Sequence, residues 1–477
     1  MRRTTPFTTA ALLGLALLAP ATAVSAAGET CRGEAASLVG TGPTLTGTEG
    51  RDVIVTGTAT SVSSLGGDDL VCVVPDGTDS NPLDVDTGAG NDVVDTLRAS
   101  SSSYVDVVLG DGADAFVGGA GNDTVSAGPG SRVGLADDDA DTVRTGGGND
   151  RVTTGAVGGP WGSTANADVA DLGPGDDRLT VVSWATTPEA LLTGGEGDDT
   201  LVTDMSGTRN EVVVDLSAGR LAATHANPDV FAGDGRFSSF EAADVTIASH
   251  WLYYTGLPGD DSLTVHVGEL GCCTLPSLEV TSLAGDDEVL VDNTVIDASS
   301  RIDTGDGEDS LVAARSNGFL DLDLKRATLA TSDPEYPGTG GVSRGFPAVV
   351  GVENAFLMAP EVSMVGDADD NRLLFNGCDA RITGGHGDDY LTHVAGDPWF
   401  EQYSFGCRAS TTMSGGPGED RLRGGPGLDK LRGDGGSDRL QGHRGTDVLL
   451  GGRGMDKADG GNGSDRCVAE TSKRCER

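Results

Sequence analysis

SGGPGEDRLRGGPGLDKLRGDGGSDRL, residues 414–440, repeats itself every nine positions. An aspartate returns at Asp420, Asp429 and Asp438, each time preceded by glycines and followed two positions later by Leu422, Leu431 and Leu440. The register continues through Asp447, Asp456 and Asp465, so six consecutive units keep one phase. A short fixed period marks a repeat architecture, in which one small unit stacks on its neighbours. Glycines let the backbone turn tightly through conformations that other residues resist. Short β-prone runs separate the turns, and the leucine points into a sheet core. The expected fold is all-β: a parallel β-solenoid in which consecutive nonapeptides alternate between opposite sides of a flattened coil.

In such a coil, loops n and n+2 stack on one side and their aspartates face each other. Asp420 meets Asp438, Asp429 meets Asp447, Asp438 meets Asp456, and Asp447 meets Asp465. Small loops direct carbonyl oxygens inward and the aspartate adds a charged oxygen. These are hard ligands at flexible geometry, which suits Ca²⁺ better than Mg²⁺ with its stricter octahedron and tightly held water.

The rest of the composition agrees with a thin, charged structure. The chain has 477 residues, 74 glycines and a formal charge of −42 from 74 acidic against 32 basic side chains. An average of this kind points to cations as charge partners and away from nucleic acid and anionic membranes. The apolar residues recur in phase with the glycines, which argues against a disordered polymer.

Three zones follow the amino terminus. The first, 27–192, is degenerate: GTEGRDVIV (47–55), SLGGDDLVC (64–72) and TGAGNDVVD (87–95) lead into a nine-residue register through Asp114, Asp123, Arg132, Asp141 and Asp150. Pairing n with n+2 there joins Asp123 to Asp141 around an ion and places Arg132 between Asp114 and Asp150. The second zone, 193–410, contains a tandem duplication: TGGEGDDTLV (193–202) answers TGDGEDSLV (304–312), VDLSAGRLA (214–222) answers LDLKRATLA (322–330), and FEAADVTI (240–247) answers VENAFLMA (352–359). The third is the regular block 411–468, with a tail at 469–477.

The C-terminal units GGPGEDRLR (415–423), GGPGLDKLR (424–432), GDGGSDRLQ (433–441), GHRGTDVLL (442–450), GGRGMDKAD (451–459) and GGNGSDRCV (460–468) resemble the repeats-in-toxin (RTX) family, whose nonapeptide is Gly-Gly-x-Gly-x-Asp-x-(apolar)-x. GGAGNDTVS (118–126) and TGGGNDRVT (145–153) match it well in the first zone. The resemblance implies a right-handed β-roll of about eighteen residues per turn that binds Ca²⁺. It also implies Asp420, Asp429, Asp438, Asp447, Asp456 and Asp465 as carboxylate ligands. Asp434 and His443 depart from it at the second glycine, and Ala458 and Cys467 at the apolar position.

Residues 1–26 read as a secretory signal: Arg2 and Arg3, an apolar stretch from Ala10 to Leu18, and small residues ending Val24-Ser25-Ala26. Its removal leaves −44, and the mature chain is expected to be extracellular, with no membrane anchor. Eight cysteines in an exported chain imply disulfides. Local spacing suggests Cys31–Cys72, Cys378–Cys407 and Cys467–Cys475, leaving Cys272 and Cys273 as a vicinal bridge or free thiols.

Catalytic signatures are sparse. Gly341-Val342-Ser343-Arg344-Gly345 fits a G-x-S-x-G elbow without the strand-to-helix context that gives it meaning. The six histidines form no HExxH. Trp251-Leu252-Tyr253-Tyr254 reads as a core patch in preference to a sugar platform. The expected function is a secreted calcium-binding solenoid with a structural or binding role and no catalysis. The alternatives are a β-helical polysaccharide lyase or epimerase carrying an RTX folding module, and an adhesin. Beyond calcium, an extracellular polysaccharide or a cell surface is the partner class these readings share.

Overall fold

The computed structural model describes residues 28–74, 82–128, 139–155, 165–181, 185–186, 191–205, 211–223, 233–247, 251–268, 275–293, 296–332, 347–394 and 405–476. The signal segment, Arg132, Cys272, Cys273 and the Gly341–Gly345 elbow lie outside these residues. The only helical element among those described is a three-residue 3-10 turn, Leu324–Arg326.

Two long open sheets form the walls of the solenoid. Sheet I runs from Leu38–Val39 through strands such as Val93–Asp95 and Asp429–Gly435 to Arg466–Val468. Sheet II runs from Thr44–Thr46 to Thr471–Lys473, with every neighbouring pair parallel, as in Arg421↔Arg439 and Arg439↔Lys457. Side chains alternate between the two faces of a strand. Leu422, Leu431, Leu440 and Leu449 therefore point inward and are buried, while Arg421, Arg423, Arg439 and Lys457 point outward. Cysteine bridges join Cys31 to Cys72, Cys378 to Cys407 and Cys467 to Cys475, the pairs that spacing suggested.

The duplication in the middle zone has a structural cause. In sheet I the strands Glu211–Asp215, Arg220–Ala223 and Gly233–Ser238 form an antiparallel meander inserted between two parallel coils. Phe319–Asp323, Thr328–Ser332 and Ala348–Val350 repeat it. The matching stretches VDLSAGRLA and LDLKRATLA are the first hairpins of the two meanders. Sheet II passes both insertions without a break in its parallel order.

Two expectations change. Trp251-Leu252-Tyr253-Tyr254 is not a single core patch: strand alternation sends Leu252 and Tyr254 inside and leaves Trp251 and Tyr253 on the outer face, their rings stacked 5.9 Å apart. The tail after 468 is part of the roll, because Thr471–Lys473 adds the last strand of sheet II. Arg474 and Lys473 hold it to Asp459, at 2.8 Å in the case of Lys473.

Candidate metal centre

The repeat aspartates stand at the two edges where the chain passes from one sheet to the other, each just before a strand or, for Asp429, as its first residue. Four of the six C-terminal repeat aspartates do the same thing. The backbone N–H of each donates to Oδ1 of the aspartate one coil further on: Asp420 to Asp438 at 2.9 Å, Asp429 to Asp447 at 3.0 Å, Asp438 to Asp456 at 3.0 Å, and Asp447 to Asp465 at 2.9 Å. The four pairs read from the sequence are thus brought together, 18 residues apart.

Oδ1 is spent on this ladder, and Oδ2 is not. In Asp389, Asp420, Asp429, Asp438, Asp447, Asp456 and Asp465 the second oxygen is buried without a hydrogen-bond partner. A buried carboxylate oxygen left unpaired is costly, and native structures retain one where something else satisfies it. The oxygen lies over the first glycine of its own repeat. A Cβ at Gly415 would stand 2.1 Å from Asp420 Oδ2, and one at Gly433 would stand 2.1 Å from Asp438 Oδ2 and 2.6 Å from the Gly451 carbonyl oxygen. The first glycine is therefore required to leave a cradle in which carboxylate and carbonyl oxygens converge. The third lets coils touch, since a Cβ at Gly436 would meet the Gly418 carbonyl oxygen at 1.7 Å.

Among the described residues no three His, Cys, Asp or Glu side chains converge as a ready-made metal centre. A cation here must draw on main-chain carbonyls together with aspartate oxygens, a hard, flexible oxygen set that fits Ca²⁺. In its absence burial pushes Asp420, Asp429 and Asp438 up to about 6 and Asp389 and Asp447 to about 7.

The first zone is built differently from the expectation. Asp123 donates to Asp150 at 2.7 Å, whereas Asp141 receives from Asp114 at 2.8 Å and donates to Asp168 at 3.0 Å. Asp123 and Asp141 thus belong to opposite edges and do not face each other. The reason is coil length: the step is 27 residues, three nonapeptides per turn where two were assumed, so n meets n+3. Asp114 and Asp150, expected to flank Arg132, likewise stand on opposite edges, and Arg132 itself lies outside the described residues. Asp123 is pushed up to about 8 by burial and by Asp150 beside it.

Sequence reasoning missed several members of these columns. Asp199 and Asp287 each have a buried, unpartnered Oδ2. Their signal was the Gly-Asp-Asp turn without a nine-residue period. It missed three glutamates as well. On the sheet II edge the ladder runs in three stretches, and Glu241, Glu353 and Glu470 close them by accepting from Asp199 at 3.0 Å, Asp309 at 2.9 Å and Asp456 at 2.9 Å. Glu241 and Glu353 occupy corresponding places in the duplication.

One polar network stands on the outer face of sheet II. Arg178 donates to Asp244 at 2.6 Å, and His266 lies between Asp244 at 3.3 Å and Asp292 at 3.2 Å. Hydrogen bonds to the two carboxylates raise the imidazole to about 9, so it is a fixed cation at neutral pH.

No curated protein matches the chain. A family model described as the RTX calcium-binding nonapeptide repeat (4 copies) matches residues 108–131, 135–156, 191–204, 414–449 and 441–470. These segments carry ladder aspartates of both edges, and in them the chain bears RTX calcium-binding nonapeptide repeats.

Proposed function

We propose that this is a secreted protein whose solenoid is completed by calcium, and that its work outside the cell is structural or adhesive with no catalytic step. The observation that carries the reading is the column of buried, unpartnered Oδ2 atoms along both edges of residues 411–468. Asp420, Asp429, Asp438, Asp447, Asp456 and Asp465 supply the carboxylate oxygens. Calcium neutralises charges that otherwise repel across a core one leucine deep, and it ties successive loops together. Folding of the block and calcium uptake are then linked, the metal-free block being far less stable than the loaded one. Equilibrium dialysis of the full chain, paired with circular dichroism in EDTA and in millimolar calcium, tests this. An identical spectrum in both, with no calcium retained, would refute it.

A second reading, action on a uronate polymer, is favoured by the convergence of Arg178, Asp244, His266 and Asp292 on one outer face. Against it, both ring nitrogens of His266 are engaged by carboxylates, which removes it as a free base. Incubation with polyuronates at pH 7 to 9, read by absorbance of an unsaturated product, decides the matter.

A further inference from the structure

The charge of the chain is unevenly placed. Residues 411–477 hold twelve Lys and Arg against eleven Asp and Glu, a net +1, so the remaining 410 residues carry −43. Six of the eleven acids are the repeat aspartates, buried at the edges. The basic side chains instead stand on the outer faces, and the register of sheet II aligns them. Arg372, Tyr390, Arg421, Arg439 and Lys457 occupy equivalent positions on five successive strands. Strand spacing puts neighbours about 4.8 Å apart, so the row offers a cation at nearly every step. Arg372, Arg421, Arg439 and Lys457 are exposed, and among the described residues none of them makes an ion pair. At the interruption, Arg372 and Arg423 lie over the Tyr390 ring at 5.8 and 5.5 Å, so that place is cationic as well.

We propose that this row is a docking surface for a linear acidic polysaccharide bearing a carboxylate or sulfate on each sugar. The inference deepens the proposed binding role and rests on the calcium reading for its strength. Four calcium ions at the edges would raise the block from +1 to about +9 without touching the row. Guanidinium forks recognise carboxylate and sulfate oxygens in pairs, and a flat file of them fits an extended polymer lying across the strands. Other polyanions fit less well. The row's single aromatic ring, Tyr390, is overlaid by Arg372 and Arg423, so it offers no run of rings on which successive bases could stack, and a flat sheet has no element to enter a duplex groove. The exposed apolar residues Leu428, Met455 and Val468 are scattered, at the two edges and on the face of sheet I, so the row has no cluster of apolar anchors for a membrane. A second copy of the chain brings a complementary −43, but the −42 carried by each whole chain opposes the encounter.

The test uses the full chain in saturating calcium with a short fluorescent oligogalacturonate, followed by anisotropy. The R421Q/R439Q/K457Q variant is expected to bind at least about tenfold more weakly, whereas K430Q/R432Q/R466Q, which removes the same charge from sheet I, loses less than about twofold. Equal losses in the two variants would show diffuse attraction and overturn the row. So would the absence of any binding, tighter binding of duplex DNA, or self-association that the first variant abolishes. Calcium content is measured alongside by dialysis. A chain that takes up calcium yet ignores the polymer refutes the docking surface alone, while one that holds the polymer through the row without calcium refutes the calcium reading alone.

Discussion

Asp438 is shared by two rungs, accepting from Asp420 on one side and donating to Asp456 on the other, so replacing it with asparagine separates two effects that act in opposite directions. Oδ1 survives the change and the ladder is kept. What is lost is the negative charge at Oδ2. Burial, with Asp456 adding repulsion, raises this carboxyl from 3.8 to about 6, which corresponds to on the order of 3 kcal/mol against its charged form at neutral pH. The new amide has an acceptor at hand in the Gly451 carbonyl, which crowds the same cradle. The protein already contains such a rung: Asn371 takes its place on the ladder, accepting from Asp367 at 2.9 Å and reaching the Glu353 carbonyl at 3.4 Å. Asp438→Asn should therefore stabilise the calcium-free block and weaken the calcium-bound one. Hydrogen exchange read by mass spectrometry over residues 420–460 is the appropriate assay because it reports these coils alone. In EDTA the amides should exchange about fivefold to 150-fold more slowly than in the parent, the span expected for about one to three kcal/mol. In calcium the order should invert, and two of the four ions should be lost, those of the 420/438 and 438/456 pairs. Faster exchange in both conditions, with calcium stoichiometry unchanged, would mean that the aspartate is a purely structural rung.

Acidity should replace calcium in part. The folded, metal-free carboxyls of Asp389, Asp420, Asp438 and Asp447 lie near 6 to 7, above their unfolded value, so their contribution is full below about pH 4 and is lost as pH rises through 6 to 7. Urea midpoints in EDTA should therefore be higher at pH 5 than at pH 8, and the reverse order would contradict the burial argument. Leu283 holds φ 81° where most coils have glycine, and its side chain is partly exposed. Leu283→Gly should stabilise the chain by about 0.5 to 1 kcal/mol, as relief of left-handed strain outweighs the added freedom of the unfolded chain; thermal melts of the pair of proteins measure it. Replacing Cys467 and Cys475 with serine should fray the last coil, costing about 2 kcal/mol locally and exposing the 457–473 amides to exchange without altering those near 420.

The C-terminal coil was legible because all its information is local. The glycines specify the turn, the leucine specifies the inside, and the period fixes which aspartates meet. The first zone kept the same local signal but hid the number of units per turn, since nothing in GGAGNDTVS states that its partner lies 27 residues away at Asp150. Coil length is decided by whatever the loop between strands can accommodate, and that is a tertiary fact. The duplication was visible as text, yet its hairpins were not, because runs such as EVVVD and RLAA read alike in parallel and antiparallel sheets. The closing glutamates escaped for a related reason. A carboxylate one methylene longer looks like ordinary surface charge until the N–H it reaches is known.

The two walls differ mechanically. Sheet II is one unspliced plank from Thr44–Thr46 to Thr471–Lys473, whereas sheet I is spliced twice, at the meanders beginning with Glu211–Asp215 and Phe319–Asp323. Near those splices the edge column also stops and restarts, after Glu241 and after Glu353. A rod of this construction bends where its seams coincide, with the unspliced wall acting as the leaf of the hinge. Tension along its axis should give way first at these two levels and leave three segments intact.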